Sequence, residues 1–166
     1  IAACLPGAGL AMSTMPDGQA PMQSALLNGT GAPHGTVTLI PKGDIVHVSV
    51  SATGLTPGLH GLHVHTTGKC DGPDFTSAGG HWNPDNKQHG HDNPMGAHRG
   101  DLPQLKVEPD GTGTSSFDVK AAIADMVDAD GASVVVHAAQ DDEKTDPSGN
   151  SGARILCAAF AGTVKN

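Results

Sequence analysis

The sequence is poor in aromatic residues and in positive charge. It has no tyrosine, one tryptophan and three phenylalanines among its 166 residues. A hydrophobic core must therefore rest on valine, leucine, isoleucine and alanine. Only nine lysines and arginines oppose seventeen aspartates and glutamates, which gives a formal net charge of −8. This balance argues against a nucleic acid or an acidic membrane surface as a partner.

Long apolar runs are absent as well. No segment approaches the roughly 18 apolar residues of a membrane-spanning helix, so we predict no membrane span. The length suits one domain. The 23 glycines and 12 prolines favour many turns between short strands over a helix bundle.

Cysteine is scarce, with only Cys4, Cys70 and Cys157. Three cysteines allow three pairings, and the sequence alone does not choose among them. Cys4 lies in a segment of small residues, whereas the other two lie beside histidine motifs, and this favours a Cys70–Cys157 disulfide. Such a bond would imply an oxidising compartment.

Residues 1–20 show no hydrophobic periodicity, which indicates a flexible tail or the remnant of an export signal. The domain would then occupy residues 21–166. The segment Ile1-Ala2-Ala3-Cys4 also resembles the end of a bacterial lipoprotein signal, in which Cys4 would carry a lipid anchor. The alternative is that Cys4 is a free thiol.

Alternating and apolar runs predict an all-β domain with long loops. Ile45–Ala52 shows the period most plainly, because Val46, Val48 and Val50 alternate with polar residues. Residues 66–100 and 138–152 lack any strand period, and Ala121–Asp128 suits a short helical turn. A loop as long as residues 66–100 without regular structure is uncommon in a compact domain and is usually functional. The eight candidate strands are Met22–Asn28, Thr36–Ile40, Ile45–Ala52, Leu59–His65, Leu102–Val107, Thr112–Val119, Ser133–His137 and Ala153–Ala161.

Histidines at the strand ends have the spacing of metal ligands. His63 and His65 share one face of a strand, so both can reach one ion while Val64 points into the core. His137 ends another strand and is a candidate third ligand. Imidazole binds zinc, copper, iron and nickel. The alternative is a pair of exposed strand histidines.

The long loop supplies a second candidate set, His81, His89, His98 and Asp101. Three imidazoles and one carboxylate are typical of structural zinc, and the alternative is a polar loop rich in histidine by chance. His91 could compete with His89 as a ligand. We interpret His34 and His47 as solvent-facing and His60 as a hydrogen-bonding structural residue.

Taken together, four motifs resemble the copper–zinc superoxide dismutases, in particular bacterial exported members. They are Gly58–His65, Gly79–Pro84, His98–Leu102 and Gly152–Cys157, and the likeness covers about residues 22–162. The resemblance implies an eight-stranded Greek-key β-sandwich or flattened barrel. It assigns copper to His63, His65, His81 and His137, and zinc to His81, His89, His98 and Asp101.

The resemblance also implies the roles of further residues. His81 would bridge the two metals and deliver a proton, and Arg154 would steer superoxide towards copper. Asp141 would orient His63 and His89, and the Cys70–Cys157 bridge would tie the loop near Arg154 to the barrel. The expected reaction is dismutation of superoxide to dioxygen and hydrogen peroxide, in the bacterial periplasm or cell envelope.

Two departures from the family pattern affect these expectations. Residues 138–152 form a short loop in which Lys144 is the single cation able to guide the substrate. Cys157 is followed by Ala-Ala-Phe, where many members have a dimer contact, so both monomer and homodimer stay open.

Overall fold

The computed structural model describes residues 19–162. Cys4 and all but the last two residues of the predicted tail lie outside the described residues. Among the described residues, no helix has the length and hydropathy needed to cross a membrane.

The described chain is almost entirely β-structure, as the alternation predicted. Its only helical segments are the 3₁₀ turn Thr76–Ala78 and the α-helix α1, Ile123–Met126. Nine strands make up the rest of the regular structure: β1 Met22–Asn28, β2 Pro33–Lys42, β3 Ile45–Ala52, β4 Gly58–His60, β5 Leu62–His65, β6 Leu105–Val107, β7 Gly113–Val119, β8 Ala132–His137 and β9 Arg154–Phe160.

All the strand pairs are antiparallel, in the order β4-β6-β7-β3-β2-β1-β9-β8-β5. The two outer strands, β4 and β5, are consecutive in the chain and separated only by Gly61. The sheet therefore curls into a nearly closed barrel. Its connections skip neighbours, since β3 pairs with β7 and β1 with β9, which agrees with the expected Greek-key fold.

The expected count of eight strands is wrong by one, because the run Leu59–His65 is two strands. Its first half pairs with β6 and its second half with β8. At the junction the Gly61 amide donates to the Ala139 carbonyl at 2.9 Å, and the Gly61 carbonyl accepts from the His137 amide at 2.8 Å. A Cβ at this position would lie 2.7 Å from Cβ of Ser151. A change of pairing partner leaves no trace in hydrophobic periodicity.

The core is aliphatic, as the composition requires. Val46, Val48 and Val50 of β3 are buried inside the barrel, and so is Val64 between the two histidines of β5. A smaller cluster lies outside the barrel wall and joins Phe75 and Ala78 to Val135 and Cys157. This second cluster packs the loop after β5 against β8 and β9.

Candidate metal centre

Four buried histidines converge at one end of the barrel. His63 and His65 lie on β5, and His137 is the last residue of β8. His81 comes from the long loop and forms an isolated bridge with His65. Their ligand nitrogens all lie within 4.8 Å of one another. The pairing of β5 with β8 therefore brings together histidines that are more than 70 residues apart in the sequence.

One nitrogen of each of these rings is buried and has no hydrogen-bond partner. These atoms are Nδ1 of His63 and Nε2 of His65, His81 and His137. Unpaired buried nitrogens are costly and rare, so four in one place require an explanation. A metal ion supplies it, because neutral imidazole binds metal through a free nitrogen.

The opposite nitrogen of each strand histidine is fixed by an acceptor. His63 Nε2 lies 2.6 Å from Asp141 Oδ2. His65 Nδ1 lies 2.9 Å from the Gly79 carbonyl, and His137 Nδ1 lies 3.2 Å from the Gly152 carbonyl. An acceptor holds the proton on its own side of the ring and leaves the lone pair facing the centre.

Burial keeps these rings neutral near neutral pH. It lowers the pKa of His63 to about 3, although the hydrogen bond with Asp141 opposes the shift. It lowers the pKa of His137 to about 4 and the pKa of His65 well below its usual value. The set can therefore accept a transition metal without losing protons first.

A second group of four atoms has the spacing of a tetrahedral site. Nδ1 of His81 lies 3.3 Å from Nδ1 of both His89 and His98. Asp101 Oδ1 lies 2.9, 3.0 and 3.1 Å from those same three nitrogens. Zinc bonds of roughly 2.0–2.1 Å imply tetrahedral edges of about 3.3 Å, so the atoms fit zinc closely. His81 contributes one nitrogen to each group.

Asp101 is positioned for this role by the backbone. Its other oxygen, Oδ2, accepts from the Gly90 amide at 3.0 Å and from the His98 amide at 2.9 Å. His63 also lies within 4.8 Å of the ligand atoms of His81, His89 and Asp101. We place it with the strand histidines, because its Nε2 is bonded to Asp141 and its Nδ1 is among the unpaired nitrogens.

Asp141 joins the two groups. Its carboxylate contacts His63 Nε2 at 2.6 Å and His89 Nε2 at 2.9 and 3.0 Å. Gln104 holds the Asp141 backbone from both sides, donating to its carbonyl and accepting from its amide, each at 3.0 Å. No sequence motif indicated Gln104, since it acts on the main-chain atoms of Asp141.

Arg154 lies beside the first group of histidines, which we call the copper-type group: His63, His65, His81 and His137. It is the first residue of β9 and is paired in register with His137. Its Nη1 donates to the Phe75 carbonyl at 2.8 Å. Partial burial lowers the pKa of Arg154, but Asp74 opposes the shift and arginine stays charged. The neighbouring guanidinium also helps to lower the pKa values of His65 and His137.

The comparisons with known proteins identify this arrangement. Residues 33–160 match the family model of copper/zinc superoxide dismutase. The chain belongs to the copper/zinc superoxide dismutase family. It is 39% identical over 166 residues to a Cu-Zn superoxide dismutase of Deinococcus radiodurans, covering 92% of this chain and 91% of that protein.

Two further comparisons lead to a superoxide dismutase-like protein of Bacillus subtilis. The protein YojM is 45% identical over 122 residues, which cover 69% of this chain and 62% of YojM, less than two thirds of its length. A crystal structure of a Bacillus subtilis superoxide dismutase-like protein, with a tyrosine and a proline each replaced by histidine, superposes with a TM-score of 0.78. The two sequences are 42% identical, and the match covers 84% of the present chain and 97% of the Bacillus subtilis chain.

The disulfide of this family member is Cys70–Cys157, the pairing favoured from the sequence. Cys157 is fully buried in β9, and Cys70 packs against the same cluster as Phe75. The bond therefore ties the loop that carries the Phe75 carbonyl to the strand that carries Arg154.

Replacing both Cys70 and Cys157 with serine should lower the free energy of unfolding by roughly 2–4 kcal/mol. The bond closes a sequence separation of 87 residues, so its loss frees a large loop in the unfolded chain. Urea titration of the metal-free protein measures the difference. An unchanged unfolding midpoint would contradict this expectation.

The remaining described histidines lie outside both groups. His60 is buried between the His137 and Thr56 carbonyls, at 2.7 and 2.9 Å, which agrees with its expected structural role. His34 and His47 are partly exposed and contact Thr53 and Asp118. The His91 side chain is 55% exposed and bonded to Glu143, so it does not compete with His89.

Zinc binding to the metal-free protein should release a proton near neutral pH. Burial alone would lower the pKa of His89, but hydrogen bonds to Asp101 and Asp141 raise it to about 10. The ring is then protonated at pH values below about 10, and zinc must displace the proton, so zinc affinity rises with pH in this range. Calorimetric titration in two buffers of different ionisation enthalpy tests this, and a buffer-independent heat would contradict it.

Proposed function

We propose that this protein is an exported copper–zinc superoxide dismutase, which converts two superoxide anions and two protons into dioxygen and hydrogen peroxide. The observation that supports this most directly is the convergence of four unpaired, buried imidazole nitrogens beside the second, tetrahedral group, which we call the zinc-type group: His81, His89, His98 and Asp101. Copper would bind to His63, His65, His81 and His137. Zinc would bind to His81, His89, His98 and Asp101.

Copper, when bound, supplies the one-electron redox chemistry, while zinc has none and fixes the loop and the basicity of His81. The residues of the chain would hold the metals, shield them from solvent and supply a proton to the substrate. His63, His65 and His137 are buried on rigid strands, so their nitrogens cannot turn away from the centre. His81 has a nitrogen in each group, and its Nε2 is the atom placed to hold the proton that the second superoxide needs.

Arg154 resolves the apparent conflict between an anionic substrate and a protein of charge −8. Substrate capture depends on the local field of a cleft rather than on the net charge. The Arg154 guanidinium lies beside the copper-type histidines, where it can attract and hydrogen-bond superoxide. Lys144 is exposed on the neighbouring loop and would add to the field.

Export from the cytoplasm is supported by the disulfide, because such bonds persist in oxidising compartments. We place the protein in the bacterial periplasm or cell envelope, either free or anchored through a lipid at Cys4. It would act there as an antioxidant, as a monomer or a homodimer.

The decisive experiment compares protein loaded with copper and zinc with protein loaded with zinc alone. Rapid, copper-dependent consumption of superoxide, together with one copper and one zinc per chain, is the expected result. No turnover from protein that binds both metals would overturn the proposal.

The likeness to the superoxide dismutase-like protein of Bacillus subtilis favours one alternative, a metal-handling module without turnover. Such a module would be expected to lack a copper ligand or the arginine. This chain retains all four copper-type histidines and Arg154, so we favour the enzyme. The same loading experiment separates the two functions.

A further inference from the structure

Asp146 contacts two residues of the zinc-type group, and nothing in the sequence pattern marked it. It lies in the loop after β8, five residues beyond Asp141. Its Oδ1 accepts a hydrogen bond from the His89 amide at 2.7 Å. The same oxygen lies 3.7 Å from His98 Nε2.

The two nitrogens of each zinc-type histidine can now be accounted for. All three rings place Nδ1 in the tetrahedral group. Nε2 of His81 faces the copper-type group, and Nε2 of His89 is bonded to Asp141. Nε2 of His98 points to neither the other metal group nor an acceptor within hydrogen-bond distance in the described part of the chain, and the carboxylate of Asp146 is the group beside it.

We propose that Asp146 is a positioning residue for zinc, acting through His98 and His89. A carboxylate beside the outer N–H of a ligand histidine fixes the ring orientation and raises its basicity. The separation of 3.7 Å is too long for a direct hydrogen bond, but it suits a charge contact between the carboxylate and the ring N–H. The inference rests on the proposed zinc site. It makes Asp146 a second carboxylate, besides Asp141, that orients histidines of this site.

The exposure of Asp146 sets the scale of the effect. Its side chain is 49% exposed, whereas that of Asp141 is 3% exposed. Solvent weakens the charge contact, so removing the Asp146 charge should lower zinc affinity by a factor near the lower end of the 10–100-fold range that is typical of outer partners of metal ligands.

The variants Asp146→Asn and Asp146→Ala separate the two contacts. Asparagine retains an oxygen for the His89 amide but removes the negative charge beside His98, and alanine removes both. Asp92→Asn is the matched control, because Asp92 is an exposed carboxylate of the zinc loop whose side chain makes no hydrogen bond or ion pair within residues 19–162. It removes the same charge without touching a ligand.

Zinc affinity of the metal-free proteins is measured by competition with a chromophoric chelator. We expect about tenfold weaker binding for Asp146→Asn, a larger loss for Asp146→Ala and wild-type affinity for Asp92→Asn. The metal-free thermal midpoint of Asp146→Asn should equal that of the wild type. In the zinc-loaded protein, the ¹⁵N resonance of His98 Nε2 should move in Asp146→Asn and not in Asp92→Asn.

Wild-type zinc affinity in Asp146→Asn, or an unmoved His98 resonance, would overturn the inference. The proposed function is judged separately on the wild-type protein. If wild-type protein loaded with both copper and zinc does not consume superoxide, the proposed function is refuted. The comparison of zinc affinity between Asp146→Asn and Asp92→Asn would still decide the role of Asp146.

Discussion

Replacing Arg154 with alanine should lower kcat/KM for superoxide by roughly tenfold or more, with both metals still bound. The guanidinium lies beside His137 and is held by the Phe75 carbonyl, and it is not among the atoms of either metal group. Its loss removes the local positive field in a protein of net charge −8. Focused fields of this kind raise association rates by about 10–1000-fold.

The dependence of the rate on ionic strength distinguishes steering from simple damage. The wild-type rate should fall as salt screens the field, and the rate of Arg154→Ala should depend on salt less steeply. Arg154→Lys keeps the charge but not the forked donor, so it should recover part of the rate. Lys106→Ala is the control, because Lys106 is an exposed cation of β6 that pairs with Glu108. Wild-type kinetics in Arg154→Ala would exclude the steering role.

The fold was largely predictable because the chain is built from short alternating strands. β1 and β3 have the predicted bounds, and the histidines of β5 lie on one side with Val64 in the core. The division at Gly61 was not predictable, because it depends on which distant strand each half contacts. Hydrophobic periodicity predicts which side of a strand is buried, but it does not predict the strand with which it pairs.

The metal centre divides in the same way. Residue spacing alone predicted two sets of ligands. One contains His63, His65 and the distant His137, and the other contains three loop histidines and Asp101. It could not place His81 in both groups; that prediction came from the family resemblance, and in the structure Nδ1 of His81 lies in one group and its Nε2 in the other. The supporting contacts of Gln104 and Asp146 were missed, since both depend on how the aperiodic loop of residues 138–152 lies against distant parts of the chain.

Replacing Asp141 with asparagine should weaken zinc binding by roughly 10–100-fold and should affect zinc before copper. Asparagine removes the negative charge and replaces one carboxylate oxygen with an NH₂ group, which cannot accept from the donors that face it: a histidine ring and, on the Oδ1 side, the Glu143 amide. His63 is held independently by β5, whereas His89 lies in a loop and depends more on its partners. The zinc side should therefore loosen first.

Chelator competition for zinc and for copper, measured on the same preparations, tests this order. Asp118→Asn is a matched control, because Asp118 also pairs with a histidine, His47, but on the exposed face of β3 and β7. It should leave both affinities at the wild-type value. Wild-type zinc affinity in Asp141→Asn would show that the carboxylate does not orient His89. A loss of copper ahead of zinc would show instead that β5 does not hold His63 without it.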